Sequence, residues 1–193
     1  CDCVLAAGGG SVIDCAKIIA LRASNPNKSV IQMTNYFAPL KKSVPIYVIP
    51  TTSGSGSEVT MFSVITNTEK ERKCPVLTSK FMPRALALDP DMSVNLPQKV
   101  TAYTGMDALT HAIEAYISTF ADEFPEDRKK APYACKLIFE NLHTAFISPE
   151  NKDARLKMAE ASYYAGIAFR RISTGYVHAI AHRMGELYHI PHG

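Results

Sequence analysis

Short apolar runs and helical stripes alternate along the first ninety residues of the chain. Cys3 to Ala7 is an apolar run that closes on Gly8-Gly9-Gly10, and Ser11 reads as the N-cap of a helix. Val12, Ile13, Ala16, Ile19 and Ala20 recur at helical spacing, and Asn25-Pro26-Asn27 stops that helix. Pro45 and Pro50 enclose IYVI, which suits a buried strand. The small-residue loop TTSGSGSE follows. Ser63 to Thr66 and Arg72 to Leu77 read as two strands around the polar turn NTEKE, and Ala85 to Asp89 as a further short strand. Strands alternating with helices predict a parallel α/β sheet. After Leu96-Pro97 the period changes, and Pro97 suits the first turn of a helix. Ala108, Leu109, Ala112, Ile113, Ala115 and Tyr116 form a helical stripe. Leu137 to Phe146, Ala154 to Phe169 and Val177 to Leu187 also read as helices. No strand is predicted beyond about residue 90, so an α/β half gives way to an all-helical half near residues 90–97.

Composition narrows the class. The 193 residues are 47% hydrophobic and 20% charged, an ordinary globular balance that excludes a disordered or low-complexity chain. The net charge of +3 is too small to predict a nucleic-acid or membrane-surface partner. The densest basic cluster, Arg128-Lys129-Lys130, reads as a solvated helix face. No apolar run reaches the roughly 18 residues of a membrane helix, and no secretory leader is recognised. Five cysteines, an odd number without a CxxC pair, predict reduced thiols and a cytoplasmic protein. Both ends run through predicted structure, which predicts a fragment of a longer protein.

Two loops and one cluster carry candidate chemistry. A strand, GGGS and a helix can bind a diphosphate, because glycines admit close approach and the helix N-terminus offers N–H groups. The third glycine of GxGxxG is replaced by Ile13, so a plain strand–helix turn is the equal alternative. Thr51, Thr52, Ser53, Ser55 and Ser57 place hydroxyls after a strand end, where α/β sheets bind ligands. A flexible turn is the alternative there. Asp107 and His111 lie four apart on one predicted helix, and His178 and His182 four apart on another. One carboxylate with several imidazoles, His192 among them, suits iron or zinc. Taken singly, Asp107 reads rather as an N-cap after Gly105 and a lone histidine as a satisfied core residue; only the joint arrangement of Asp107, His111 and the C-terminal histidines favours a metal. His143 and His189 read as surface or packing residues.

These residues resemble the iron-containing alcohol dehydrogenase family. The resemblance rests on GGGSVIDCAK at 8–17, PTTSGSGSEVT at 50–60, FMP at 81–83 with ALDP at 87–90, GMDALTHAIEAY at 105–116 and GYVHAIAHRMGELYHIPHG at 175–193. It implies an α/β dinucleotide-binding domain, here residues 1–94, and a helical metal-binding domain, here 95–193. It implies metal ligands at Asp107, His111, His178 and His192, with Fe(II) or Zn(II) as the ion. Gly9, Gly10 and Ser11 would hold the diphosphate of NAD or NADP. Thr51, Thr52 and Ser55 would lie near the ribose and nicotinamide, Phe62 beside the ring, and Lys73 against the cofactor. His182 would stand near the substrate. The opening strand and helix of the family are absent, as are the helices after His192-Gly193. Arg170-Arg171-Ile172-Ser173 replaces small or amide residues, and Pro132 predicts a late start for its helix.

The expected function is hydride transfer between a small alcohol or aldehyde and a nicotinamide, in a homo-oligomer of two or more chains. A metal-dependent lyase of the dehydroquinate-synthase-like type is the alternative, and an inactive fragment a third. A lyase acting on an anionic substrate would need a basic pocket. The stretch Ala112 to Tyr116 reads as apolar and uncharged, which favours the small alcohol.

Overall fold

A computed structural model describes residues 2–67, 72–172, 174–188 and 190–193. It divides into two compact units, Cys1–Pro50 with Ser57–Ala87 and Thr51–Gly56 with Leu88–Gly193.

The first unit contains β1 (Val4–Gly8), α1 (Gly10–Ser24), α2 (Val30–Met33), β2 (Ile46–Pro50), β3 (Phe62–Asn67), β4 (Arg72–Leu77) and β5 (Ala85–Leu86). The strands β1, β2 and β5 pair in parallel in that order, in register from Val4 opposite Ile46 to Gly8 opposite Pro50. β3 and β4 form a separate antiparallel pair from Phe62 opposite Leu77. The polar turn between them falls on residues 68–71, outside the described residues. Alternation along β1 and β2 sends Ala6, Ile46 and Val48 into a core shared with Ile13, Leu21, Val76 and Phe81.

Several local expectations change. α1 starts at Gly10 with Gly9 as N-cap, so Ser11 lies inside the helix and caps nothing. Val12 and Ile19, seven apart, sit on its outer side and are half exposed, whereas Ile13, Ala16, Ala20 and Leu21 are buried. A side chain at Gly8 would put its Cβ 2.6 Å from Val12 Cβ, so glycine there serves the close return of α1 onto β1. β5 ends at Leu86, because Asp89 already caps the short 3₁₀ turn Pro90–Met92.

α1 is tied to the segment before β3 by a buried lysine. Lys17 has no solvent exposure, and its Nζ donates to Ser57 Oγ at 3.0 Å, Thr60 O at 3.0 Å and Phe62 O at 2.6 Å. Asp14, one turn earlier, accepts from Ser57 Oγ at 2.5 Å and from the Val64 N–H at 2.8 Å. Burial lowers the Lys17 pKa to about 8, against the pull of Asp14 and Glu58.

The second unit is built on α3 (Gln98–Ile117), α4 (Pro125–Arg128), α5 (Lys130–Ile147), α6 (Lys152–Phe169) and α7 (Tyr176–Tyr188). Its core is rich in alanine: Ala108, Ala112, Ala131, Ala134, Ala161 and Ala165 are all fully buried. Small side chains at facing positions let helix backbones approach closely. Pro132 falls in the first turn of α5, where no intrahelical N–H bond is lost, so the helix starts before the proline rather than after it. Ile113 and Tyr116 of the predicted stripe are exposed at 42% and 49%. Among the described residues no helix is long and apolar enough to cross a membrane.

Candidate metal centre

Asp107 and His111 stand one turn apart on α3 and face the same way, as their spacing dictates. Asp107 lies well inside the helix, which removes the N-cap alternative. The first turn of α7 adds His178. One ligand atom from each of Asp107, His111 and His178 lies within 4.8 Å of the others, and all three side chains are largely or wholly buried. His178 Nε2 is 3.4 Å from Asp107 Oδ1. It is buried without a hydrogen-bond partner. The His111 ring is held by parallel stacking between Phe169, at 4.2 Å between centroids, and His178, at 4.3 Å.

Hydrogen bonding settles which nitrogens are available. The Gly54 carbonyl can only accept, so His111 Nδ1 at 3.3 Å donates to it and Nε2 keeps its lone pair. Burial, the largest influence on His111, lowers its pKa to about 4 despite Asp107, so the ring is neutral at pH 7. Burial would raise the Asp107 pKa, but His178, His111 and His192 together outweigh it and hold the carboxyl below its ordinary value. At His178 burial pulls downward, and the Asp107 and Glu114 carboxylates reverse it to a net rise. A carboxylate, two imidazoles and an orphaned buried nitrogen fit a divalent ion, and two histidines with one carboxylate are a donor set used by iron(II).

The other expected residues are distributed as follows. His192 lies beside the three donors, with Nε2 3.6 Å from Asp107 Oδ1, and is one-third exposed. Its ring stacks on His182 at 4.6 Å between centroids, and His182 is 6.3 Å from His178. Asp107, Thr110, Val177, His178, Ala181 and His192 line a recess. His143 is exposed, and His189 is outside the described residues.

In the first unit Gly9 caps α1, and Gly10 and Ser11 are its first residues; no side chain caps this N-terminus. Phe62 opens β3 and is half-buried, and Lys73 is exposed on β4. Thr51, Thr52 and Ser55, half-buried, belong to the second unit.

One buried carboxylate beside the cluster is not singled out by the sequence. Ala112 to Tyr116 is not uncharged: it holds Glu114, whose side chain is 5% exposed and bonded to His178 Nδ1 at 2.6 Å. The only signal was its position three residues after His111, which looks like any polar residue in a helix. Arg170, expected to depart from the pattern of the resembled family, is committed to Asp127, donating from Nε at 3.1 Å and Nη2 at 2.9 Å. Arg171 Nε is 3.3 Å from the same carboxylate, and Ser173 is outside the described residues.

Comparison with known proteins places this geometry in context. The family model "Iron-containing alcohol dehydrogenase" matches residues 1–90, and "Fe-containing alcohol dehydrogenase family, C-terminal" matches 101–193. The chain is 42% identical over 193 residues to 1,3-propanediol dehydrogenase of Klebsiella pneumoniae, covering 100% of this chain and 49% of that one. It is 41% identical over 193 residues to NAD-dependent methanol dehydrogenase of Bacillus methanolicus, covering 100% and 50%. A crystal structure of 1,3-propanediol oxidoreductase superposes with a TM-score of 0.93 at 41% identity, again over 100% of this chain and 50% of that one. The chain thus spans about half the length of these relatives.

Proposed function

The chain belongs to the iron-containing alcohol dehydrogenase family, and from that premise we propose that the protein is a metal-dependent oxidoreductase. Its reaction is hydride transfer between a small alcohol or aldehyde and a nicotinamide cofactor. The observation that carries this is the buried set of Asp107, His111 and His178 with its unpartnered Nε2. The names of the 1,3-propanediol and methanol dehydrogenases support a small alcohol, and the second supports NAD.

Asp107, His111 and His178 would hold the ion, iron(II) in preference to zinc, with His192 as fourth ligand. Bound there, the ion supplies Lewis acidity, and the nicotinamide supplies the two-electron acceptor. The chain's own contributions are distinct. Asp107 supplies the negative charge that offsets a divalent cation, and neutral His111 offers a lone pair without a proton to displace. In residues 1–94, the uncapped N-terminus of α1 offers Gly10 and Ser11 N–H groups to a diphosphate. Thr51, Thr52, Ser55, Phe62 and Lys73 complete the cofactor contacts in this reading. His182, one helical turn beyond His178, carries a proton to or from the substrate oxygen.

The test is nicotinamide absorbance with simple primary alcohols, in the full-length protein loaded with iron(II) and stripped of it. Metal-dependent reduction of NAD is the expected result, and none with any small alcohol overturns the reading. His182→Ala should keep the metal and lower turnover by ~10²–10⁴ with an altered pH–rate profile. Normal turnover at full metal content removes His182 from the mechanism. Gly10→Val should weaken NAD binding by roughly tenfold or more, because a branched side chain would stand where the diphosphate meets the backbone. Calorimetric titration decides that point; unaltered affinity would make the GGGS turn structural.

A further inference from the structure

Glu114 is not among the three mutually close donors, yet its carboxylate is fully engaged beside them. Its Oε2 accepts from the Gly175 N–H at 2.7 Å and faces His178 Nδ1 at 2.6 Å, while Oε1 accepts from the Val177 N–H at 2.8 Å. Gly175 and Val177 frame the start of α7, the helix that carries His178. The residue at 175 leaves no room for a side chain, since a Cβ there would sit 2.8 Å from Glu114 Oε1 and 2.9 Å from its Cδ. The carboxylate is therefore clamped over the backbone three residues before the ligand it faces.

We propose that Glu114 is a positioning residue for the metal centre: it keeps the proton of His178 on Nδ1 and anchors the start of α7, so that the lone pair of Nε2 is presented to the ion. The inference rests on the reading of Asp107, His111 and His178 as ligands. The physical reason is one of hydrogen-bond inventory. An ionised carboxylate only accepts, so the ring nitrogen facing it must donate, and a neutral imidazole then has its free lone pair on the other nitrogen. The unpartnered, buried state of Nε2 is the counterpart of that arrangement. A carboxylate behind a ligating histidine also raises the basicity of the ligand and fixes its ring plane.

Glutamine at 114 keeps the shape but cannot accept from three donors at once. Its amide faces either His178 Nδ1, reversing the tautomer, or a backbone N–H. Glu114→Gln in the full chain should therefore bind iron(II) or zinc(II) roughly 10–100-fold more weakly in a competition titration with a chelator. Nitrogen-15 spectra of the metal-free variant, taken where the imidazole is neutral, should show the His178 Nδ1 proton lost or exchanging between nitrogens. Gly175→Ala carries no polar group, yet should reproduce part of the affinity loss, because its Cβ displaces the Glu114 carboxylate. A merely structural Glu114 would lower thermal stability and leave both affinity per folded molecule and tautomer alone.

Undiminished affinity in Glu114→Gln, alongside lost affinity in Asp107→Asn, overturns the inference and leaves the site standing. Undiminished affinity in Asp107→Asn overturns the site itself, and the inference with it. The tautomer can also be read in the unsubstituted chain: protonated Nδ1 at His178 supports the proposal, and protonated Nε2 overturns it whether or not the variants fold.

Discussion

Asp107→Asn is expected to remove metal binding almost entirely, with metal-dependent turnover lost in proportion. Asp107 is the one carboxylate in the donor set, and His178 Nε2 lies 3.4 Å and His192 Nε2 3.6 Å from its Oδ1. An amide in its place offers a neutral oxygen and an N–H₂ group that competes with the ion for the same imidazole lone pairs. The loss should exceed the roughly 10–100-fold typical of removing an outer hydrogen-bond partner. His192→Ala should cost less, because His192 is one-third exposed and stands outside the three mutually close donors. Metal analysis of the purified variants, followed by titration of the metal-free forms, gives the order. Equal metal content in Asp107→Asn and the unsubstituted protein would end the assignment.

The second large effect concerns Lys17. Its ammonium is fully buried and serves Ser57 Oγ and the carbonyls of Thr60 and Phe62. Lys17→Met would leave those carbonyls and the Asp14 charge without their partner. Removing one member of a buried charged network typically costs about 3–5 kcal/mol, and the first unit should be destabilised by that order. Amide exchange in α1 and β3 reports this unit by itself. The pH dependence has a definite sign. The folded pKa of about 8 lies below the ordinary 10.5, so between those values the unfolded chain binds more protons than the folded one. Stability contributed by Lys17 thus rises from pH 8 to 10.5 and is lost as pH falls through 8. The gap between the unsubstituted chain and Lys17→Met should widen over that interval. A gap that narrows there would mean that the partners of the Lys17 ammonium outweigh its burial and hold its pKa above the ordinary value.

How far the sequence could be read depended on the range of each interaction. Asp107 and His111 were legible as a pair because a helix places residues four apart on one side, whatever surrounds it. The same rule joined His178 to His182. It could not show that His178 stacks on His111, since that contact spans sixty-seven residues and depends on how α7 meets α3. Glu114 was passed over for the same reason: its partners at 175, 177 and 178 are silent in any local window. Lys17 likewise carries no local signal, for a lysine in an amphipathic helix ordinarily points to water. Acceptors on Ser57, Thr60 and Phe62 turn it inward.

By itself the sequence determined what periodicity and local chemistry can determine. That includes the alternation of strands and helices up to Leu86, the helical remainder, and the family through its glycine, hydroxyl and histidine motifs. Tertiary structure alone decided which nitrogen of His111 and of His178 is engaged by an acceptor. It set the Gly54 carbonyl against His111 and the Glu114 carboxylate against His178. A residue's identity carries its possible protonation states, but the choice among them is made by the acceptors that folding brings within 3.3 Å.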